Sequence, residues 1–334
     1  MLGFSIYYHT SLEIDNELAY PQPKIVEKEE ITKRNSKNFY TKLIKMLPDK
    51  SCQIILNQCM NLRKNESCLI LTDSELIKIG ESLYKNSLKI TNTSKLIRIP
   101  IPKSHGSEPP EEVAEEMLNF DVILMPTTKS LSHTTARKNA SKKGARIASM
   151  PGITEDMMER TLNIDFNKIK IINKKLVNKL NNRNKIKITT KKGTDVEFEV
   201  KTRKWISDDG IYTKKGSFGN LPAGEIFIAP LEGKTNGKIV ADASVGGLGK
   251  IDENIEIIIK DGFIENIKGR IIAKSFEKLL KDKLYENVAE LGIGTNPKAK
   301  ITGEVLEDEK VLGTCHIAFG NNKHFGGKVD VPFH

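Results

Sequence analysis

The chain has 334 residues, a net charge of +10 and 38% hydrophobic residues, long enough for two domains and apolar enough for a buried core. No run of about 18 apolar residues occurs, so no membrane span is expected, and "MLGFSIYYHTSLEIDNE" lacks the basic-then-apolar order of a secretory leader. The four cysteines, Cys52, Cys59, Cys68 and Cys315, are not closely paired, which suits free thiols in a reducing cytoplasm rather than a disulfide framework.

Residues 1–38 read as an N-terminal extension ending in the charged connector "YPQPKIVEKEEITKRNSKN". Helical spacing starts at Phe39, breaks near Pro48 and resumes in "SCQIILNQCMNLRKNE". Strands and helices then alternate. "SCLILTD" is a short apolar strand ending at Asp73, and "SELIKIGESLYKNS" is an amphipathic helix with Ser74 as its expected cap. "KLIRIPIP" is a second strand, followed by the helix "PPEEVAEEMLNF" with prolines and acids at its start. "DVILMPT" and "ARIASMPG" are two further strands; between them "SHTTARKNASKKG" is a helix stopped by Gly144, and after them "TEDMMERTLNID" is a helix capped by Thr154. This alternation predicts a parallel sheet covered by helices, an α/β Rossmann-like domain over residues 39–168.

The pattern changes over residues 169–334, which read as a β-rich domain. "KIKIINKKLVNKLNNRNKIKITTKKG" is basic. It lacks the interleaved aromatics that stack on bases, and lysines alternate with acids along most of the chain. A solvated surface is therefore expected rather than a nucleic-acid site. "KIKITTKKGTDVEFEV" and "IEIIIKDGFIENIKG" are hairpins, the second turning at Asp261-Gly262. "SFEKLLKDKLYENVAE" reads as a helix leading into "LGIGTNP", which puts Glu290 in its last turn, where an acid is disfavoured without a cationic partner. At the end, "HIAF" and "KVDVPF" both read as strands.

"GGLGK" has the wrong spacing for a phosphate loop, and no CxxC pair supports a cysteine zinc site. The remaining chemistry lies in Glu225, Glu290, Glu309, His316 and His334. Carboxylates that bridge dications, with a few imidazoles, suit Zn²⁺, Mn²⁺ or Co²⁺.

The segments "GNLPAGEIFIAPLEGKTNGKIV", "AELGIGTNP", "LEDEKVLGTCHIAFGNN" and the closing Gly-Gly-to-His run resemble the metallo-aminopeptidases of the aminopeptidase T, aminopeptidase S and PepS group, often named leucyl aminopeptidases. "SHTTARKNASKKGARIASMPGIT" is similar to the shorter archaeal and ring-dioxygenase-like members. The resemblance covers about residues 40–334. It implies a cytoplasmic, homodimeric metalloprotease that removes N-terminal residues from peptides at two divalent ions. Glu225, Glu290, Glu309, His316 and His334 would be ligands, with Glu290 bridging the ions and holding the nucleophile. It also implies a chain that stops two residues short of the family's last aspartate. The tyrosine that follows the histidine in the peptidases is missing from "HIAFGNNKHFGG". The related dihydroxypyridine ring-cleaving dioxygenases offer the alternative, one Fe(II) held by His316, His334 and the missing aspartate, and a non-catalytic relative of the peptidase fold is a further one.

Overall fold

A computed structural model describes the protein at residues 5–9 and 49–334. The connector and the start of the helix read at Phe39 lie outside the described residues.

The alternating half builds a five-stranded parallel sheet in the order Ser94–Arg98, Cys68–Thr72, Val122–Met125, Arg146–Ser149, Phe218–Asn220. The three middle strands are buried at every position, as strands covered on both faces must be. The fifth strand comes from the second half of the chain, which returns to this layer after leaving it. Thr134 and Thr154 accept backbone N–H bonds at the starts of the helices Thr135–Lys143 and Glu155–Thr161, and Gly144 ends the first in the left-handed region. Ser74 does not cap the next helix. The buried Asp73 takes the N–H groups of Glu75 and Leu76 instead, and the helix begins at Ile77. The basic run after Asp165 hides a helix, Phe166–Leu180, whose Phe166, Ile169, Leu176 and Leu180 are buried.

The second half forms two antiparallel sheets. One has the order Phe263–Lys268, Ile255–Lys260, Thr235–Ala241, Asp195–Glu199, Lys185–Thr189. The other has seven strands: Gly249–Lys250, Ser244–Val245, Ser5–His9, Thr314–Phe319, Val288–Gly294, Glu225–Ile228, Ile206–Asp208. Both sheets contribute to one apolar core that includes Phe198, Ile239, Ile257, Leu291 and Ile317. The architecture is thus a parallel α/β layer plus a mostly β part. Among the described residues no helix is long and apolar enough to cross a membrane.

Two local expectations are corrected. The helix read over Ser275–Glu290 is a helix only at Ile271–Glu277; after a single 3₁₀ turn the chain becomes the strand Val288–Gly294. Every residue of that strand is buried, so its sequence shows neither alternation nor a polar face. "KVDVPF" forms no strand. It closes a loop wrapped around Asn321 and Asn322, whose side chains bond the backbone of Val331 and Val329.

Candidate metal centre

Strand register gathers the acids and the histidine. Directly opposed residues of an antiparallel pair share a face, and alternate residues along a strand share a face. Glu225 opposes Gly294 on one side and Asp208 on the other, while Gly292 opposes both Phe227 and His316. Asp208, Glu225, Phe227, Glu290 and His316 therefore share one face. Ile226, Ile228, Leu291, Ile293, Cys315 and Ile317 point the other way, into the core. Gly292 is required between Glu290 and Gly294, because a Cβ there would lie 2.0 Å from His316 Nε2. The imidazole lies across the glycine.

His316 Nε2 lies 3.2 Å from Glu225 Oε2 and 3.2 Å from Glu290 Oε1. Donor atoms of Glu225, Glu290 and His316 all fall within 4.8 Å of one another, and all three residues are buried. Glu225 Oε2 is buried and accepts no hydrogen bond. A convergent set of two carboxylates and an imidazole, with a buried oxygen lacking a donor, fits one divalent ion.

His334 joins from outside the sheet. Its Nε2 lies 3.4 Å from Glu290 Oε2 and its Nδ1 is 2.6 Å from the Asn321 carbonyl oxygen. Only a protonated Nδ1 can bond a carbonyl, so that contact leaves Nε2 to face Glu290. The preceding residue, Phe333, anchors it, buried and stacked on Tyr285 at 4.7 Å.

Glu309 is held apart from this group by Lys310. The fully buried Lys310 ammonium hydrogen-bonds Glu225 Oε1 and lies 3.0 Å from Glu309 Oε2 and 3.8 Å from Asp208 Oδ2. Asp308, the other acid of that motif, is used up in bonds from Ser244, Thr302 and Gly303. Burial pushes the carboxyls of Glu225 and Asp208 upward, Asp208 to about 6, against the pull of Lys310. Glu290 goes the other way: it too is desolvated, but hydrogen bonds from His316 and His334 outweigh burial and hold it below the usual carboxylate range.

Aromatic rings wall the approach. Phe325 meets His334 edge-on at 5.4 Å and Phe227 at 5.7 Å, both half-buried phenyl rings. Beside them His324 stacks on His133 at 5.6 Å, bringing the parallel-sheet layer against the C-terminal loop. Desolvation first, and then the neighbouring His324 and His334, lower the pKa of His133.

A model of the family described as "NicX: 2,5-dihydroxypyridine 5,6-dioxygenase" matches residues 77–328. The chain belongs to this family. Among solved structures, the 2,5-dihydroxypyridine dioxygenase from Pseudomonas putida KT2440 is similar at 17% identity and a TM-score of 0.71, over 85% of this chain and 90% of that one. Wild-type AmpT from Thermus thermophilus is similar at 15% identity and a TM-score of 0.59, over 81% of this chain and 84% of that one. Identities this low show a shared fold. No curated protein sequence matches the chain.

Membership in the NicX family overturns the reading as an aminopeptidase, a hydrolase or a protease. The likeness to AmpT is one of fold. The chain is an enzyme. Sequence reasoning missed Lys310, Asp208, Gly292, His133 and the two phenylalanines. Phe227 carried a signal, since it alternates with core residues on the apolar run that starts at Glu225; Gly292 carried none, because the strand Val288–Gly294 is buried throughout and shows no period of two. Lys310 carried none, because a lysine reads as surface unless its partners are known.

Proposed function

We propose that this chain cleaves a small hydroxylated aromatic ring with O₂ at a single Fe(II). The observation that carries the reading is the Glu290 carboxylate, which faces Nε2 of His316 with one oxygen and Nε2 of His334 with the other. Two imidazoles and a carboxylate with open positions suit non-haem Fe(II) oxygenases. When bound, Fe(II) supplies the one-electron chemistry that lets O₂ react with an electron-rich ring. The protein's own groups do the rest. The Asn321 carbonyl fixes the tautomer of His334. Phe227 and Phe325 offer faces and edges to a flat ring and keep bulk water from the buried carboxylates. His133, kept neutral, offers a nitrogen lone pair to a ring hydroxyl. The family description and the structural likeness to the Pseudomonas enzyme support the same substrate class.

The test is anaerobic loading with Fe(II), followed by 2,5-dihydroxypyridine and other dihydroxylated rings in an oxygen electrode. Loss of the ring's ultraviolet band in step with O₂ uptake is expected. Iron that is not retained, or retained iron with no O₂ uptake on any such ring, would refute the proposal.

A further inference from the structure

We propose that Lys310 is a built-in cation that fills the place of a second metal ion and so limits the centre to one. The inference rests on the metal-centre reading above and concerns how many ions that centre admits. Four carboxylates, Asp208, Glu225, Glu290 and Glu309, crowd around two imidazoles. Such a cluster needs positive charge. Carboxylates alone would recruit two dications, as the sequence motifs suggest. Here the acids divide into two groups. Glu290 and Glu225 Oε2 turn toward His316. Glu225 Oε1, Glu309 and Asp208 turn toward Lys310 Nζ. The second group is the set a second ion would need, and its centre is already occupied by an ammonium.

The ammonium has nowhere else to go. Lys310 is 0% exposed, its backbone is tied to Asn296 and Glu307, and its side chain ends among the acids. A second ion would have to enter against a unit positive charge in direct contact with its ligands, which is strongly unfavourable where water is excluded. One dication and one lysine leave a single carboxylate charge to balance. The Tyr212 hydroxyl, 2.5 Å from Asp208 Oδ1, bears on that remaining group.

Lys310 is thus a specificity-determining residue for metal stoichiometry, and removing its charge should open the second position. The test uses the full chain dialysed against excess Mn²⁺, with the metal-to-protein ratio measured for the wild type, Lys310→Gln and Lys310→Ala. Unfolding midpoints are measured with and without the ion. Glu290→Gln serves as a control that empties the first position. One ion is expected in the wild type and two in each lysine variant. The variants, destabilised without metal, should be restored by Mn²⁺ to a larger degree than the wild type gains. Two ions in the wild type, or one in a folded lysine variant, would overturn the inference while leaving the metal centre intact. Failure of both variants to fold even in excess Mn²⁺ would overturn it as well, since the ion is expected to replace the lost cation. No ion in the wild type would instead sink the metal-centre reading itself, and this inference with it.

Discussion

Replacing Gly292 with alanine adds one methyl group and is expected to disable the metal centre. Gly292 lies mid-strand with no positive φ, so alanine suits its backbone. The cost arises from contact alone. The new Cβ would lie 2.0 Å from His316 Nε2, 2.1 Å from Cε1 and 2.8 Å from Cδ2. Carbon and nitrogen need about 3.5 Å, so the ring must move by more than about 1 Å. Ligand distances tolerate only about 0.2 Å. The fold should survive with a loss of about 1–3 kcal/mol, typical of an overpacked core. Metal affinity should fall by at least about tenfold, since about 1.4 kcal/mol of lost ligation is tenfold.

A double-mutant cycle separates this account from a general weakening of the strand. His316→Ala removes the group that alanine at 292 would strike. If the clash is the cause, Gly292→Ala costs little or nothing once His316 is gone, and the two stability changes are far from additive. Urea denaturation of the metal-free proteins gives the four values; Co²⁺ titration gives affinity for the two forms that keep His316. Additive costs, or Co²⁺ binding to Gly292→Ala as tight as to the wild type, would refute the reasoning.

Two further perturbations test other parts of the molecule. Arg146, at the start of its strand, and the partly buried Glu66 pair at 2.6 and 2.9 Å, and Glu66→Gln should destabilise by about 2 kcal/mol, within the range for hydrogen bonds to charged groups. The Arg146 hydrogen bond is the largest cause lowering the pKa of Glu66. A lowered folded pKa means the contribution is complete above the unfolded value of about 4.3 and is lost as pH falls through the folded one. The gap between wild type and variant measured in urea should therefore narrow below about pH 4, and a gap that stays constant with pH would contradict this. At the mouth, Phe325→Ala should weaken binding of a hydroxylated ring by about three- to tenfold, the worth of an aromatic contact beyond its burial, with the metal content unchanged; unaltered ring affinity would remove Phe325 from the binding wall.

The parallel layer was legible in the sequence because its short apolar runs alternate with amphipathic helices that carry a recognisable cap or stop, as at Thr154 and Gly144. The helix Phe166–Leu180 was not, since its many lysines masked the buried row of Phe166, Ile169 and Leu176. Glu290 was picked out for its chemistry but placed on the wrong element. A strand buried on both faces has no period of two, and the stretch before it is helical only in part. His316 and Cys315 are adjacent on one strand and so face opposite ways, His316 toward the acids and Cys315 into the core. His334 was reached through the resemblance, with "KVDVPF" before it read as a strand. The same outcome arises differently: Phe333 stacks on Tyr285, and the Asn321 carbonyl turns the imidazole.

That difference bears on where the chemistry of this fold resides. Glu225, Glu290 and His316 sit on three neighbouring strands, and a one-residue slip of any of them would turn Ile226, Leu291 or Ile317 out of the core. Their positions are therefore enforced by packing, whatever reaction the protein performs. His324, Phe325 and His334 lie instead on the 320–334 loop. Asn321 and Asn322, the Glu232 carboxylate and Arg203 hold that loop through hydrogen bonds rather than through a sheet ladder. Such a loop can be rebuilt without unsettling the strands beneath it. Metal retention should accordingly depend on the sheet and on His334, whereas the choice of ring should depend on His324 and Phe325. A Phe325 variant that kept its metal and lost its ring selectivity would separate the two.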